Sequence, residues 1–441
     1  MTLPIVSIVG RPNVGKSSLF NRMTGKKLAV VDSESGVTRD RNFASCDWGR
    51  RSFYVVDTGG MVPGTGNTME RLILEQAEIA VGQADLIIFT VDCHTGVTDI
   101  DMRIARQLLR TKKPVILAVN KSDNDRYDLE ANVFYSLGFD NLIPISAANG
   151  RMVGELMDEV VGRLPTIADE PSGEGEIRVA VVGRPNVGKS SFVNWLLGEN
   201  RNIVSDVPGT TRDSIDSPVV IEGRRYVLID TAGLRKRRRI TEGIEYYTTL
   251  RTVRAIQRCH VAVILLDAKE GLNFQELKIL VEVGEAGRGM VVVVNKWDIF
   301  EKDEDSAGVY AEQIRQAMPT FSHVPIVFAS GLTGKRVLKT MAEVDRVYAE
   351  FTKHIATPEL NDFLVEAVKR QPPPAAQGKW IRLFYMTQPE TAPPSFVIFC
   401  SYPKLIEEPY FRYLTNRLRE RFGFEGVPLT IKLKPRGQKQ Q

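Results

Sequence analysis

The 441 residues include only four cysteines and four histidines. Cys46, Cys93, Cys259 and Cys400 stand far apart with no CxxC pair, which argues against a disulfide framework and a zinc site and leaves core or incidental thiols. Long apolar runs are missing as well. The longest, such as Val261-Ala-Val-Ile-Leu-Leu266, have the length of a buried strand and fall far short of the eighteen or so residues of a membrane span. No basic segment precedes the first apolar run, so no leader is expected, and the expected location is the cytoplasm without membrane contact. Strong net charge is absent, at +4. The charge is uneven, however: from Thr352 onward fourteen Lys and Arg face eight Asp and Glu. A solvated surface and a surface for an acidic partner are both open readings of that excess.

What is present, 43% hydrophobic and 25% charged residues, is the composition of a folded protein, and the length allows about three domains. The nonamer GRPNVGKSS occurs twice, at Gly10–Ser18 and Gly183–Ser191, each time after an apolar strand-like run and before a helical pattern. Glycine at the first and sixth positions lets the backbone curl its N–H groups onto a phosphate chain at a helix N-terminus. The phosphate-binding candidates are Gly10, Asn13, Val14, Gly15, Lys16, Ser17 and Ser18, with Gly183, Asn186, Val187, Gly188, Lys189, Ser190 and Ser191 in the second copy. Lys16 and Lys189 suit the β- and γ-phosphates, and the Ser17 and Ser190 hydroxyls suit magnesium.

The repeat continues. GVTRD (Gly36–Asp40) answers GTTRD (Gly209–Asp213) and DTGG (Asp57–Gly60) answers DTAG (Asp230–Gly233), all at the loop's own offset of 173 residues (183 − 10). NKSD (Asn120–Asp123) answers NKWD (Asn295–Asp298), and Ser146 answers Ser330. Asp57 and Asp230 are expected to end strands and hold magnesium through water, with Thr38 and Thr211 closing on it and the N–H of Gly60 and Gly233 meeting the γ-phosphate. A phosphate loop does not distinguish ATP from GTP. The Asp123 and Asp298 carboxylates can accept two hydrogen bonds from guanine that adenine does not offer, so the nucleotide is expected to be GTP or GDP. Asn120 and Asn295 would brace the loop, the stems of Lys121 and Lys296 would cover the base, and backbone N–H groups at Ser146-Ala147 and Ser330-Gly331 would add a contact.

Strand and helix patterns alternate between these motifs, as in a doubly wound, mostly parallel α/β sheet with its ligand at the strand ends. Expected helices include Met69–Ala80, Asp101–Leu109 and Gly154–Leu164. The boundaries read as 1–165 for the first such domain, 166–176 for a linker, 177–351 for the second, 352–435 for a third domain of order α-β-β-α-β, and 436–441 for a disordered tail.

With five motifs in order, twice, and a small appended α/β domain, the whole chain resembles the bacterial double-GTPase family Der (EngA). The resemblance implies two P-loop GTPase domains and a KH-like domain, GTP hydrolysis, and a conformational switch in assembly of the large ribosomal subunit through ribosomal RNA. It also implies Lys16, Thr38, Gly60, Lys189, Thr211 and Gly233 as catalytic residues. The expected partners are the large subunit and its precursors and, as an open possibility, a protein activator; the protein itself is expected to be a monomer. Met61 and Leu234 stand where a water-orienting Gln occurs in Ras-like proteins, so intrinsic hydrolysis should be slow. The resemblance to potassium-stimulated GTPases implies Asn13 and Asn186 as potassium ligands; a loop-shaping role is equally open. Arg412, Arg417, Arg419, Arg421, Lys432, Lys434 and Arg436, and the run Lys236-Arg-Arg-Arg239, are candidates for RNA contact or for solvated surface, and Gly423-Phe-Glu-Gly426, which has the GxxG letters but joins a helix to a strand, is not assigned that role. Two alternatives stand beside the switch: an RNA-binding module with one largely structural nucleotide site, and a GTPase of the tRNA-modification type.

Overall fold

The computed structural model describes residues 3–25, 43–49, 51–58, 77–78, 81–82, 84–165, 175–199, 216–231, 245–299 and 306–435. Thr38, Gly60, Met61, Thr211, Gly233, Leu234, the Lys236–Arg239 run, most of the expected linker and of helix Met69–Ala80, and the tail lie outside them.

The first sheet comprises β1 (Ile5–Val9), β2 (Phe43–Trp48), β3 (Arg51–Asp57), β4 (Leu86–Asp92), β5 (Val115–Asn120) and β6 (Leu142–Pro144), in the order β2-β3-β1-β4-β5-β6. All pairings are parallel except β2 with β3. β1 and β4 are buried along their whole length, as strands covered on both faces must be, and they read as near-continuous apolar runs. Alternate residues serve alternate faces. Val6, Ile8, Val55, Ile88 and Ala118 pack with helices Lys16–Thr24 and Val153–Arg163; Val9, Ile87, Phe89, Leu117 and Val119 pack with helix Asp99–Leu108.

The second sheet repeats this design with β7 (Ile177–Val182), β8 (Ser217–Ile221), β9 (Arg224–Ile229), β10 (Val261–Asp267), β11 (Gly289–Asn295) and β12 (Ile326–Phe328), in the order β8-β9-β7-β10-β11-β12. Helices Lys189–Glu199 and Val337–Phe351 cover one face, and Phe274–Glu285 and Ser306–Ala317 the other. Two features differ from the sequence expectation. The antiparallel edge strands β2 and β8 were not anticipated, and the strand before DTAG ends at Ile229, leaving Asp230 in a left-handed turn at φ 56°.

The third domain has the expected order. Helices Thr357–Arg370 and Glu408–Phe422 pack Leu360, Phe363, Leu414 and Leu418 against Met386, Phe396, Ile398 and Cys400 of a sheet made of β13 (Leu383–Thr391), β14 (Pro394–Cys400) and β15 (Thr430–Pro435). The turn Gly423–Gly426 fastens it to the second GTPase-like body. Gly426 donates its N–H to the His323 carbonyl (2.8 Å) and accepts from Met290 N–H (2.7 Å), while Glu350 accepts from Phe424 N–H (2.6 Å). At φ +71° and with a would-be Cβ 2.7 Å from both Met290 O and Val347 Cγ2, position 426 admits only glycine.

Gly426→Ala is therefore expected to destabilise the chain by about 2 kcal/mol or more, the sum of left-handed strain and overpacking. Gly223, at φ +82° with nothing within 4 Å of its would-be Cβ, isolates the strain alone. Gly223→Ala should cost about 1 kcal/mol. Equal losses in urea unfolding would show that the Gly426 contact does not hold the turn.

Candidate functional site

The parallel strands set both sites. Register places Asp57 beside Ile8, Asp92 beside Asn120, and Asp267 beside Asn295, so the loop and the NKxD motif leave the same edge of each sheet. Each loop is then wedged in place. A Cβ on Gly10 would lie 2.2 Å from Thr90 O and one on Gly183 2.7 Å from Leu265 O. Gly15 (φ +92°) and Gly188 (φ +95°) would put a Cβ 2.2 and 2.3 Å from the Nδ2 of Asn120 and Asn295.

Those two asparagines are the centre of each arrangement. Asn120 donates from Nδ2 to the Val14 carbonyl (2.7 Å) and accepts at Oδ1 from Ala147 N–H (2.9 Å). Asn295 does the same with Val187 (2.7 Å) and Gly331 (2.8 Å). Both are buried, so each ties a phosphate loop, NKxD and the Ser-Ala or Ser-Gly loop together in a medium where an unmade bond is expensive. The Ala147 and Gly331 N–H groups, expected near a base, here donate to the brace.

The lysines are equally constrained. Lys121 and Lys296, at φ 67° and 61°, reach Asp92 and Asp267 at 2.7 Å, which fixes their stems beside the loop. Burial works against the Asp92 carboxylate, but the Lys121 hydrogen bond and charge outweigh it and hold the pKa below the usual value. Lys16 Nζ donates to Arg11 O at 2.7 Å and Lys189 Nζ to Gly183 O at 2.6 Å, so each ammonium lies within its own loop. Burial lowers the Lys16 pKa to about 8, with Asp57 opposing the shift and Arg11 adding to it.

The sequence reading missed the residues that anchor the loops from behind. Arg11 faces the fully buried Asp101 at 3.5 Å and also Asp92, and Arg184 pairs with the fully buried Glu276 and with Glu270 (2.7 Å). Both acids lie in the first turn of the helix after β4 or β10, where a carboxylate is favoured. An acid in corresponding helix starts was a usable signal.

The copies differ where magnesium would bind. Ser17 Oγ donates to the buried Asp57 at 2.6 Å. Ser190 Oγ is buried without a hydrogen-bond partner among the described residues, and Asp230 N–H is held by Asp216 (3.0 Å), itself paired with Arg258. Among the described residues no three His, Cys, Asp or Glu side chains cluster. A hydroxyl, one carboxylate and phosphate oxygens are the donor set that suits magnesium. The guanine-side loops differ too. Asp123 accepts from Ser146 Oγ (2.7 Å) and Asn149, with Arg151 bonded to Asp128 behind it. Asp298 is exposed beside Trp297, which packs on Tyr310 and Phe328 instead. Asn13 and Asn186 are exposed at φ 65° and 66° on the open side of their loops.

Of the RNA candidates, Arg419 is corrected: it is largely buried, with its pKa lowered to about 10 by burial, and donates to the carbonyls of Phe424 and Val427. Arg412, Arg417 and Arg421 pair with Glu408, Glu366 and Glu420, whereas Lys432 and Lys434 are exposed on β15.

Arg184→Met, which leaves Glu276 buried without its counter-charge, should cost about 3–5 kcal/mol of stability in urea unfolding. Adding Glu276→Gln should recover part of that loss. Full stability in the single variant would remove the pair from the architecture.

Family profiles match "50S ribosome-binding GTPase" at residues 5–121 and 178–296 and "KH-domain-like of EngA bacterial GTPase enzymes, C-terminal" at 354–434. The curated GTPase Der of Caldanaerobacter subterraneus subsp. tengcongensis is 47% identical over 440 residues, covering 99% of this chain and 100% of its own. GTPase Der of Chloroherpeton thalassium is 46% identical over 433 residues, 98% and 99% of the two chains. The solved FeoB G-domain from Methanococcus jannaschii matches 37% of this chain and 99% of its own at 24% identity and a TM-score of 0.28. The duplicated loops, the braced guanine motifs and full-length identity at this level place the chain in the Der (EngA) family of GTPases, enzymes that hydrolyse GTP.

Proposed function

We propose that both sites bind and turn over GTP, and that their nucleotide state switches the chain between forms that hold and release the RNA of the assembling large ribosomal subunit. The observation that carries this reading is the doubled asparagine brace, built to within 0.1 Å in both copies from the same loop carbonyl and the same backbone N–H. A site kept only for structure would not need the phosphate-contacting lysine, the guanine-reading carboxylate and the brace together. The ribosomal partner is supported by the profile description and by the basic C-terminal domain. The setting is the cytoplasm and the protein is a monomer; no helix among the described residues is long and apolar enough to cross a membrane.

Within each site the chain's own groups divide the work. Backbone N–H groups of Gly15-Lys16-Ser17-Ser18 and Gly188-Lys189-Ser190-Ser191 cradle the phosphates, the two lysines place positive charge on the β- and γ-phosphates, and Asp123 and Asp298 select guanine. Ser17 and Asp57, and Ser190 and Asp230, would hold magnesium, joined by Thr38 and Thr211, and the ion would supply positive charge against the transferred phosphoryl group. Gly60 and Gly233 sense the γ-phosphate. Asn13 and Asn186, both exposed, would hold a potassium ion. The asymmetry at Ser17 and Ser190 favours a second reading within the first, in which the two sites turn over at different rates.

Lys16→Ala and Lys189→Ala, made separately, are each expected to remove one of two bound nucleotides and to slow turnover at that site by about tenfold or more, given about 1.5–3 kcal/mol per charged hydrogen bond. Radiolabelled GTP hydrolysis, with potassium and sodium compared at equal ionic strength, reads both ideas. Unchanged rates in both variants would exclude two active sites, and equal rates in the two salts would exclude the potassium role. Co-sedimentation with ribosomal subunits in GTP, GDP and a non-hydrolysable analogue tests the switch, which requires association to change with nucleotide.

A pH dependence follows from Lys16. With its pKa at about 8 in the free site, Lys16 is charged below that pH and neutral above it. A triphosphate raises the pKa, so binding takes up a proton above pH 8. In the Lys189→Ala background GTP affinity should weaken by up to about tenfold per pH unit above 8. Calorimetry in buffers of different ionisation heat would measure the proton; no uptake at pH 9 contradicts the assignment.

A further inference from the structure

The third sheet has one face on helices Thr357–Arg370 and Glu408–Phe422 and another turned away from them. Register sets Tyr385, Phe399 and Lys434 in one row across that second face, with Lys432 in the next row. The rings of Tyr385 and Phe399 are stacked, with centroids 4.3 Å apart at 12°. Tyr385 is 38% exposed and both lysines are exposed. At the same end of the sheet Ser401 N–H donates to Arg382 O (3.0 Å), Lys379 Nζ lies 4.9 Å from the Tyr402 ring centre, and Trp380 is 79% exposed.

Charge is sorted here rather than mixed. No Asp or Glu occurs in Gln371–Pro389, Thr391–Ile406 or Gly426–Pro435, the segments that build this end of the sheet. The arginines on the helix side are matched by Glu408, Glu366 and Glu420. A merely solvated face would intersperse its acids and would not keep an indole in water. The complement of accessible flat rings flanked by cations that have no ion pair among the described residues is an anionic chain that also carries flat apolar groups. An acidic peptide supplies the charge without the rings, and a duplex hides its bases.

We infer that this end of the sheet is a platform for single-stranded RNA, with Trp380 and Tyr385 stacking on unpaired bases and Lys432 and Lys434 on the phosphates. The inference rests on the proposed engagement of ribosomal RNA and gives it a location on the sheet instead of the helix arginines.

The test uses the intact chain and a fluorescein-labelled unpaired RNA of about a dozen nucleotides, within the usual reach of such surfaces. Trp380→Ala with Tyr385→Ala should weaken binding by about 30-fold or more, at about 1–3 kcal/mol for each stacked base, and Trp380→Phe should restore most of the Trp380 share. Lys432→Gln with Lys434→Gln should lower the log–log salt slope by about 1.4. GTP turnover should be unchanged in all variants, because none of these residues belongs to a nucleotide site. Wild-type affinity in the ring variant overturns the platform, as does displacement of the RNA by polyglutamate as readily as by unlabelled RNA, which would mark an acidic-protein surface. Failure of the wild type to bind any unpaired RNA overturns it as well. Co-sedimentation separates the two levels: if the ring variant binds RNA normally while the wild type still sediments with the large subunit, the platform falls and the ribosomal reading stands.

Discussion

Each nucleotide site depends on one buried amide. β1 and β5 are not neighbours, since β4 runs between them, so the loop after β1 and the motif after β5 have no ladder in common. Asn120 supplies the missing connection from the end of β5, and Asn295 does so from the end of β11. An amide suits this place because it donates and accepts at once without charge. Aspartate would set a carboxylate against the Val14 carbonyl, and leucine would leave a buried N–H and a buried carbonyl unpaired. Gly15 and Gly188 follow from the same constraint, because the space a side chain would need is taken by the amide nitrogen.

Around that shared core the two copies use different supports. The first holds its guanine loop with ions and hydroxyls: Arg151 bridges Asp125 and Asp128, and Ser122 bonds to Asp128. The second packs Trp297, within its NKxD motif, against Tyr310 and Phe328. Burial of rings is insensitive to salt, whereas partly exposed ion pairs are screened. The same asparagine brace and lysine–aspartate pair thus stand in front of different chemistry one layer behind them.

The central parallel strands were legible because strands covered on both faces are written as unbroken apolar runs, and the motifs sit where those runs stop. Helix Asp101–Leu109 proves to be Asp99–Leu108, since Thr98 caps it through Asp101 and moves the start forward. The edge strands β2 and β8 were missed because pairing on one side only imposes a weaker pattern. The matching acids at two helix starts mark Asp101 as an anchor but not Arg11, about ninety residues away, as its partner, and nothing in the sequence shows that Arg419, one of several arginines on a helix, turns inward to cap the Gly423–Gly426 turn. Those contacts belong to packing, and charge alone is a poor guide to whether a side chain meets solvent.

β11 joins the remaining parts. Its first residues meet the third domain through Met290 N–H and the Gly426 carbonyl, and its last residue is Asn295. Between them Val291 to Val294 are fully buried, with alternate residues in opposite layers of the core. A strand packed this way moves as a unit, because sliding it by one residue would turn every side chain to the wrong face. One strand of seven residues thus carries Asn295 and its brace at one end and the contact with the Gly423–Gly426 turn at the other.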